Sequence, residues 1–183
     1  DYIITSISKG AFQFSEIKSV SFSTDSGLLM IDNLAFSEST IECFTIPPHL
    51  TKIDECAFNQ CYRLHKFEIP ANSKLQTIEK FAFSFTSIEF FQIPPHLTKI
   101  SECTFCNCQQ LRTIEIPSNS ELQSIESGAF DGSLIEEIEI PKNLVDLQKG
   151  WCINTTKLAK INVCKDNPRY SKYGDQMIIG KSS

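Results

Sequence analysis

The sequence predicts a solenoid, a stack of similar units whose strands lie side by side in a parallel sheet. Two observations carry that prediction. The stretch FTIPPHLTKIDECAFNQC from Phe44 returns as FQIPPHLTKISECTFCNC from Phe91, 47 residues on, and a fixed internal period is the mark of a repeat architecture. Inside it runs a shorter period, set by one aromatic position: Phe12, Phe36, Phe58, Phe83, Phe105, Phe130 and, degenerately, Cys152. The steps are 24, 22, 25, 22, 25 and 22 residues, so short and long units alternate and the 47-residue echo is one of each.

The parts of each unit follow from their patterns. Five residues before the aromatic stands an aliphatic (Ile7, Ile31, Ile53, Ile78, Ile100, Ile125, Leu147), and three before that another (Ile4, Leu28, Leu50, Leu75, Leu97, Leu122, Leu144). After the aromatic comes LxxIxIP or an equivalent, as in LHKFEIP from Leu64 and LRTIEIP from Leu111. Its last three residues alternate apolar, polar, apolar, the period of a strand. The proline that follows (Pro47, Pro70, Pro94, Pro117, Pro141) lacks an N–H and ends the ladder. Units of 22 to 25 residues with such a strand fall in the leucine-rich range. No unit buries its apolar face alone, so the stack is expected to form one elongated domain, strands about 4.8 Å apart, over a continuous core of Phe and Ile. The expected architecture is a leucine-rich repeat solenoid with a parallel sheet on the concave side and short extended or helical turns on the convex side.

The unit IPPHLTKIDECAFNQCYRLHKFEIP resembles the BspA-like leucine-rich repeat family, surface proteins of mucosal bacteria and of protists such as trichomonads, and the likeness covers essentially the whole chain. The tail NPRYSKYGDQMII is similar to the NPxYxxxxG unit that such proteins insert between repeat blocks. This divides the chain into seven repeats over residues 1–163 and a capping or inter-block unit over 164–183. The resemblance implies a solenoid that binds host or bacterial surfaces and leaves the ligand open, because a repeat fold supplies a surface and its side chains supply the function.

Composition narrows the classes. With 41% hydrophobic residues and 14 Phe the chain can build a core, and a formal charge of −5 with no basic stripe disfavours nucleic acid. No run of about 18 apolar residues is present, so membrane association is expected only through segments outside this sequence. The chain opens in mid-repeat at Asp1 and reads as a fragment of a longer cell-surface or secreted protein, in which a signal or anchor would lie elsewhere.

The eight cysteines offer the most tempting chemistry. Cys103, Cys106 and Cys108 form a CxxCxC cluster, and Cys56 with Cys61 looks like half of another, as a zinc site would. The repeat register points elsewhere. Cys61 and Cys108 share a column with Ser15, Ser39, Thr86, Ser133 and Thr155, small side chains suited to meeting backbone groups under a turn. Ladder mates two units apart lie about 9.6 Å apart, beyond the roughly 7 Å reach of a disulfide. Structural thiols, with no metal and no cofactor, are therefore expected, with a metal site or a disulfide as the alternative. The sequence holds no GxSxG, HExxH or phosphate-binding glycine loop, and His49, His65 and His96 show no triad spacing, so no catalytic residue is assigned. Asn154 in NTT matches a glycosylation sequon.

A binding site is expected on the outward positions of the LxxIxI strands. Phe90, Lys66, Glu68, Gln92, Arg112, Glu115, Glu137 and Glu139 are the candidate ligand-binding residues, with Phe90 as the apolar anchor because it is the only large aromatic in its column. The sequence supports a monomeric adhesion or recognition module that takes a protein or glycan ligand on another cell or in matrix. An intracellular repeat scaffold, which the unpaired thiols would suit, is the alternative.

Overall fold

The computed structural model describes residues 4–174 and 177–180. Residues 1–3 of the expected repeat block, and residues 175–176 and 181–183 of the expected terminal unit, lie outside the described residues. Each unit contributes two strands, one on either side of its aromatic turn. The first unit gives β1 (Ser6–Ile7) and β2 (Ser19–Val20), the second β3 (Met30–Ile31) and β4 (Cys43–Thr45), the third β5 (Lys52–Ile53) and β6 (Lys66–Glu68). The fourth gives β7 (Thr77–Ile78) and β8 (Phe90–Gln92), the fifth β9 (Lys99–Ile100) and β10 (Thr113–Glu115). The sixth gives β11 (Ser124–Ile125) and β12 (Glu137–Ile140), the seventh β13 (Asp146–Leu147) and β14 (Lys160–Val163). A hairpin of β15 (Tyr170–Tyr173) and β16 (Met177–Gly180) follows, the one antiparallel pair among the described residues.

Apart from β6 with β8 and β7 with β9, the strands β1 to β14 pair in parallel with their counterparts one unit away, so the solenoid has two strand faces, one of odd-numbered and one of even-numbered strands. The sequence pattern anticipated the even face; the short second piece forms the odd face. Of the extended or helical pieces expected opposite the even face, the extended kind is present as the odd strands and there is no helix among the described residues; the aromatic turns join the two faces. The residues two before and two after the aromatic both take a left-handed backbone. The first set is Gly10, Leu34, Cys56, Phe81, Cys103, Gly128 and Gly150, and the second is Phe14, Glu38, Gln60, Phe85, Asn107, Gly132 and Asn154, with φ between 53° and 80°. For non-glycine residues this backbone is strained by about 1 kcal/mol or more each. What the strain secures is a third ladder. In each of the first six units the N–H groups of both left-handed residues and of the aromatic donate to the next unit; Phe81, Phe83 and Phe85 donate to the carbonyls of Glu102, Thr104 and Cys106 at 2.9–3.1 Å.

The core lies between these three walls. Phe12, Phe36, Phe58, Phe83, Phe105 and Phe130 stack nearly parallel at centroid separations of 5.0–5.7 Å. A second column from the even strands, Phe44, Phe67 and Phe91, meets the first edge-on at 4.7–5.5 Å. Both arrangements suit the ring quadrupole and add to burial. Ile114, Ile138 and Ile161 continue the second column. At the seventh unit the aromatic has moved one position: Trp151 sits edge-on against Phe130 at 6.1 Å, and Cys152 holds the ruler position only in the backbone register. Ile4, expected inward with Leu28 and Leu50, is 72% exposed, because among the described residues no unit packs against it from that side.

The small-residue column is a hydrogen-bonding ladder, as its composition suggested. The Cys61 thiol donates to Phe36 O (2.9 Å) and lies 3.6 Å from Ser39 Oγ, while the Cys108 thiol donates to Phe83 O (3.1 Å) and lies 3.3 Å from Thr86 Oγ1. Ser15 and Thr155 close the same kind of contact within their own turns. Ser133 Oγ, in the same column, is buried without a partner.

Two outcomes follow. Phe83→Ala or Phe105→Ala removes a ring stacked on both faces and should lower unfolding free energy by about 3 to 5 kcal/mol in a urea melt; a loss under about 1 kcal/mol would contradict the core described here. Burial pushes the Cys61 and Cys108 thiols up to about 11 from the ordinary thiol value of 9.0. A thiol with a raised folded pKa binds more protons than the unfolded chain between those values, so its contribution is intact below pH 9 and is lost as pH rises toward 11. Replacing both by Ser, the residue their column already accepts, should flatten the fall of melting temperature across that alkaline range.

Candidate functional site

The even strand face carries the sequence-predicted residues, and what shapes it is an alternation in the loops behind it. After β4 and β8 the chain turns tightly through IPPHL, and after β6 and β10 through the longer IPANSKL and IPSNSEL. In the long loops Ser73 and Ser120 accept hydrogen bonds from Leu75 N–H and Leu122 N–H, both at 3.2 Å. The same loops reach back to the preceding turn, where Lys74 N–H donates to Pro48 O (3.0 Å) and Glu121 N–H to Pro95 O (2.8 Å). Long loops are thus drawn toward the unit before them and away from the unit after.

Strand pairing records that bias. The junctions into a long-loop unit pair over three residues, β4 with β6 and β8 with β10. The junctions out of one are weak: β10 pairs with β12 at a single position, Thr113 with Glu137, and β6 does not pair with β8 at all. On the odd face the break falls one unit further on, where β7 and β9 are unpaired and Ser101 Oγ donates to Ile78 O (2.6 Å) in place of a backbone bond, while β5 and β7 stay paired. One residue accounts for the difference between the two weak junctions. Asn143 Nδ2 donates to Ser120 O (2.8 Å) and ties the sixth unit to the long loop before it. The equivalent position in the fourth unit is His96, which turns to Glu121 on the far side (3.1 Å).

Each weak junction opens into a cleft, and Phe90 stands between the two. The first, about 700 Å³, lies between β6 and β8 and is lined by Lys66, Phe67, Glu68, Ile69, Pro70, Glu89, Phe90 and Gln92, with Thr45 and His65 at its edge. The second, about 280 Å³, lies between β10 and β12 and is lined by Phe90, Thr113, Glu115, Glu137, Glu139 and Asn162 over Ile114, Ile116 and Ile138. Phe90 is 46% exposed, the only large apolar side chain so exposed on the even strands among the described residues. Alternation along β8 sets this orientation, since Phe91 beside it is fully buried.

Of the candidate residues, Lys66, Glu68 and Gln92 thus share a cleft with Phe90 on one side, and Glu115, Glu137 and Glu139 share one with it on the other. Arg112 does not: it lines a separate recess with Glu136 and Lys160. Sequence reasoning missed Glu89, Ile69 and Pro70, although the longer IPANSKL loop was visible. The Lys66 ammonium meets Glu68 at 2.8 Å, and Thr45 Oγ1 donates to the same carboxylate at 2.7 Å. Lys66, then Thr45, holds the Glu68 carboxyl below its usual range, and Glu68 holds Lys66 above.

Two of the three clustered cysteines, Cys103 and Cys106, meet through their thiols, and Cys108 does not complete a three-ligand site with them. Cys108 faces the core, while Cys103 and Cys106 sit in the turn, where burial raises both thiols and pushes Cys103 up to about 11. Metal binding needs thiolates, and no group of three metal-ligating side chains comes together among the described residues. Cys103 has a packing role: a Cβ at Gly128 in the next unit would lie 2.8 Å from its Sγ, so that left-handed position takes glycine. His49, His65 and His96 are all exposed. Asn154 is exposed in a left-handed turn, its Nδ2 donating to Asp131 Oδ1 (2.9 Å).

Among solved structures the chain is similar to the pneumococcal vaccine antigen PcpA, at 23% identity and a TM-score of 0.75, covering 97% of this chain and 40% of that one. It is similar to a leucine-rich repeat protein from Bacteroides ovatus at 22% identity and a TM-score of 0.75, covering 89% and 42%. A leucine rich cell surface protein from Faecalibacterium prausnitzii matches at 21% identity and a TM-score of 0.64, covering 90% and 50%. The chain therefore spans half or less of the length of these three proteins. None of the curated proteins compared with it matches. The family model for the BspA type leucine rich repeat region matches residues 2–101 and 76–174 in six copies. The alternating units, the parallel strand faces and this match agree, and the chain belongs to the BspA type leucine-rich repeat family.

Proposed function

We propose that the chain is a recognition module of a cell-surface or secreted protein, which binds a protein or glycan on another cell or in matrix through the even strand face. The observation that carries the reading is Phe90, a half-exposed ring with a cleft on either side and polar groups around both. Binding hot spots have this layout, an aromatic anchor in a recess with a polar rim that excludes water. The family and the neighbours described as a vaccine antigen and a cell surface protein support a surface location. Leucine-rich repeat folds commonly mediate protein interactions and are typically non-enzymatic, which suits a site built of clefts without a nucleophile or paired base.

We further propose the division into seven repeats over 1–163 and a capping or inter-block unit over 164–183. Its first residues support that role: buried Asn167 donates to Pro141 O and Leu144 O (2.7 and 2.9 Å) and accepts from Arg169 and Tyr170 N–H, clamping the tail onto the sixth and seventh units. In a secreted protein the exposed Asn154 would be open to glycosylation. One observation favours an intracellular scaffold instead, namely that all eight cysteines are free, which suits a reducing compartment. The same face would serve there.

The test is to compare wild type with Phe90→Ala for binding to epithelial cells and to immobilised matrix proteins. Phe90→Ala should leave the melting temperature unchanged and weaken attachment by about 2 kcal/mol, roughly thirtyfold. Equal binding by the two proteins would place recognition elsewhere on the chain.

A further inference from the structure

The charge around the two clefts is unequal, and the inequality selects a class of ligand for the site proposed above. Among the described residues the Lys and Arg side chains along this face are engaged: Lys18 with Glu42 (4.0 Å), Lys66 with Glu68 (2.8 Å), Arg112 with Glu136 (3.5 Å) and Lys160 with Glu137 (3.2 Å). Glu89, Glu115 and Glu139 have no ion-pair partner among the described residues. An anionic ligand would have to displace a glutamate from each cation it approached, whereas a cationic one finds free carboxylates. The clefts divide the work. The first is floored by Phe67, Ile69 and Pro70 with Phe90 as one wall, and its Lys66–Glu68 pair is self-neutralising. The second holds Glu115, Glu137 and Glu139 over an isoleucine floor.

Their spacing fixes a pattern. One cleft lies between β6 and β8 and the other between β10 and β12, two strand intervals along the solenoid axis, or about 9.6 Å. A peptide in the polyproline II conformation advances about 3.1 Å per residue with about three residues per turn, so side chains three positions apart lie on one side, about 9.3 Å apart, and reach both clefts. We infer that the ligand of this face is an extended cationic peptide segment, lying along the solenoid axis, that places an apolar side chain beside Phe90 and, three residues away, a Lys or Arg among Glu115, Glu137 and Glu139. The inference rests on the reading of the even face as the binding face and adds the chemistry of what it binds. A neutral glycan can hydrogen-bond the free carboxylates through its hydroxyls but brings no positive charge to them, and a sulfated one is repelled by them.

Fluorescence anisotropy on the full chain tests this with labelled Gly-Ser-Leu-Ser-Ser-Arg-Ser-Gly, a second peptide in which Leu and Arg are adjacent, and a third with Glu in place of Arg. The first peptide should bind at least about tenfold more tightly than either of the others. Raising salt from about 50 to about 500 mM should weaken it several-fold, as the screening length falls below the cleft dimensions. The double variant Glu115→Gln, Glu139→Gln removes two exposed charges that support no other contact, and it should lose about tenfold in affinity with its melting temperature unchanged. No binding of the first peptide, equal binding of the Arg and Glu peptides, or undiminished binding by the double variant would each overturn the inference. The cell-attachment assay separates the two levels. Attachment that depends on Phe90 but is unaffected by the double variant removes the cationic peptide and keeps the binding face, whereas attachment indifferent to Phe90 removes both.

Discussion

The turn ladder is the constraint on which the rest of this structure depends. A strand of two or three residues makes too few hydrogen bonds to hold one unit against the next, and at the junction between β6 and β8 the even strands make none by pairing. There the third and fourth units are joined by the Cys56, Phe58 and Gln60 amides, which donate to Lys80, Ala82 and Ser84 O at 2.8–3.1 Å, by the Phe58–Phe83 stack and by Phe67 edge-on against Phe83. Ring separations across the junction stay near those elsewhere, 5.8 Å for Phe67–Phe91 as for Phe44–Phe67. The core therefore continues while the surface above it opens.

That separation of roles explains how a solenoid of near-identical units acquires a local site. Nearest-neighbour contacts make each junction almost an independent structure. A two-residue difference in loop length therefore changes one junction without disturbing the stack. The long loop leans on the unit before it through Lys74 and Pro48, its strand gives up the unit after it, and an outward Phe on the next strand gains a cleft to stand beside. Where Asn143 bridges the equivalent gap, the junction keeps one paired position and its cleft is smaller.

Much of this was legible in the sequence, for identifiable reasons. Repeated positions report burial directly, so the Phe and Ile columns, the outward placement of Phe90 and the hydrogen-bonding role of Cys61 and Cys108 could be read from register alone. The left-handed turns were harder. Gly10, Gly128 and Gly150 marked one such column, but Leu34, Cys56, Phe81 and Cys103 in the same column masked it, because the ladder overrides their backbone preference. The shift from Phe to Trp151 was hidden for a similar reason: the backbone kept its register while the ring moved by one. The clefts were not legible. They depend on which neighbour a loop leans toward, and that is decided by hydrogen bonds such as Lys74 to Pro48, whose backbone groups carry no sequence signal.

Residue-resolved amide hydrogen exchange tests the central claim, that the strand ladder opens at one junction while the turn ladder holds it together. Glu89, Phe90 and Gln92, whose N–H groups face the unpaired side of β8, should exchange far faster than Arg112, Thr113 and Glu115, the same positions one unit on, where β10 is paired. The amides of Phe58 and Phe83 in the turn ladder, of which Phe58 N–H crosses that junction to Ala82 O, should be among the slowest in the chain. Equal protection at the two sets of strand positions, or rapid exchange at Phe58, would contradict the account.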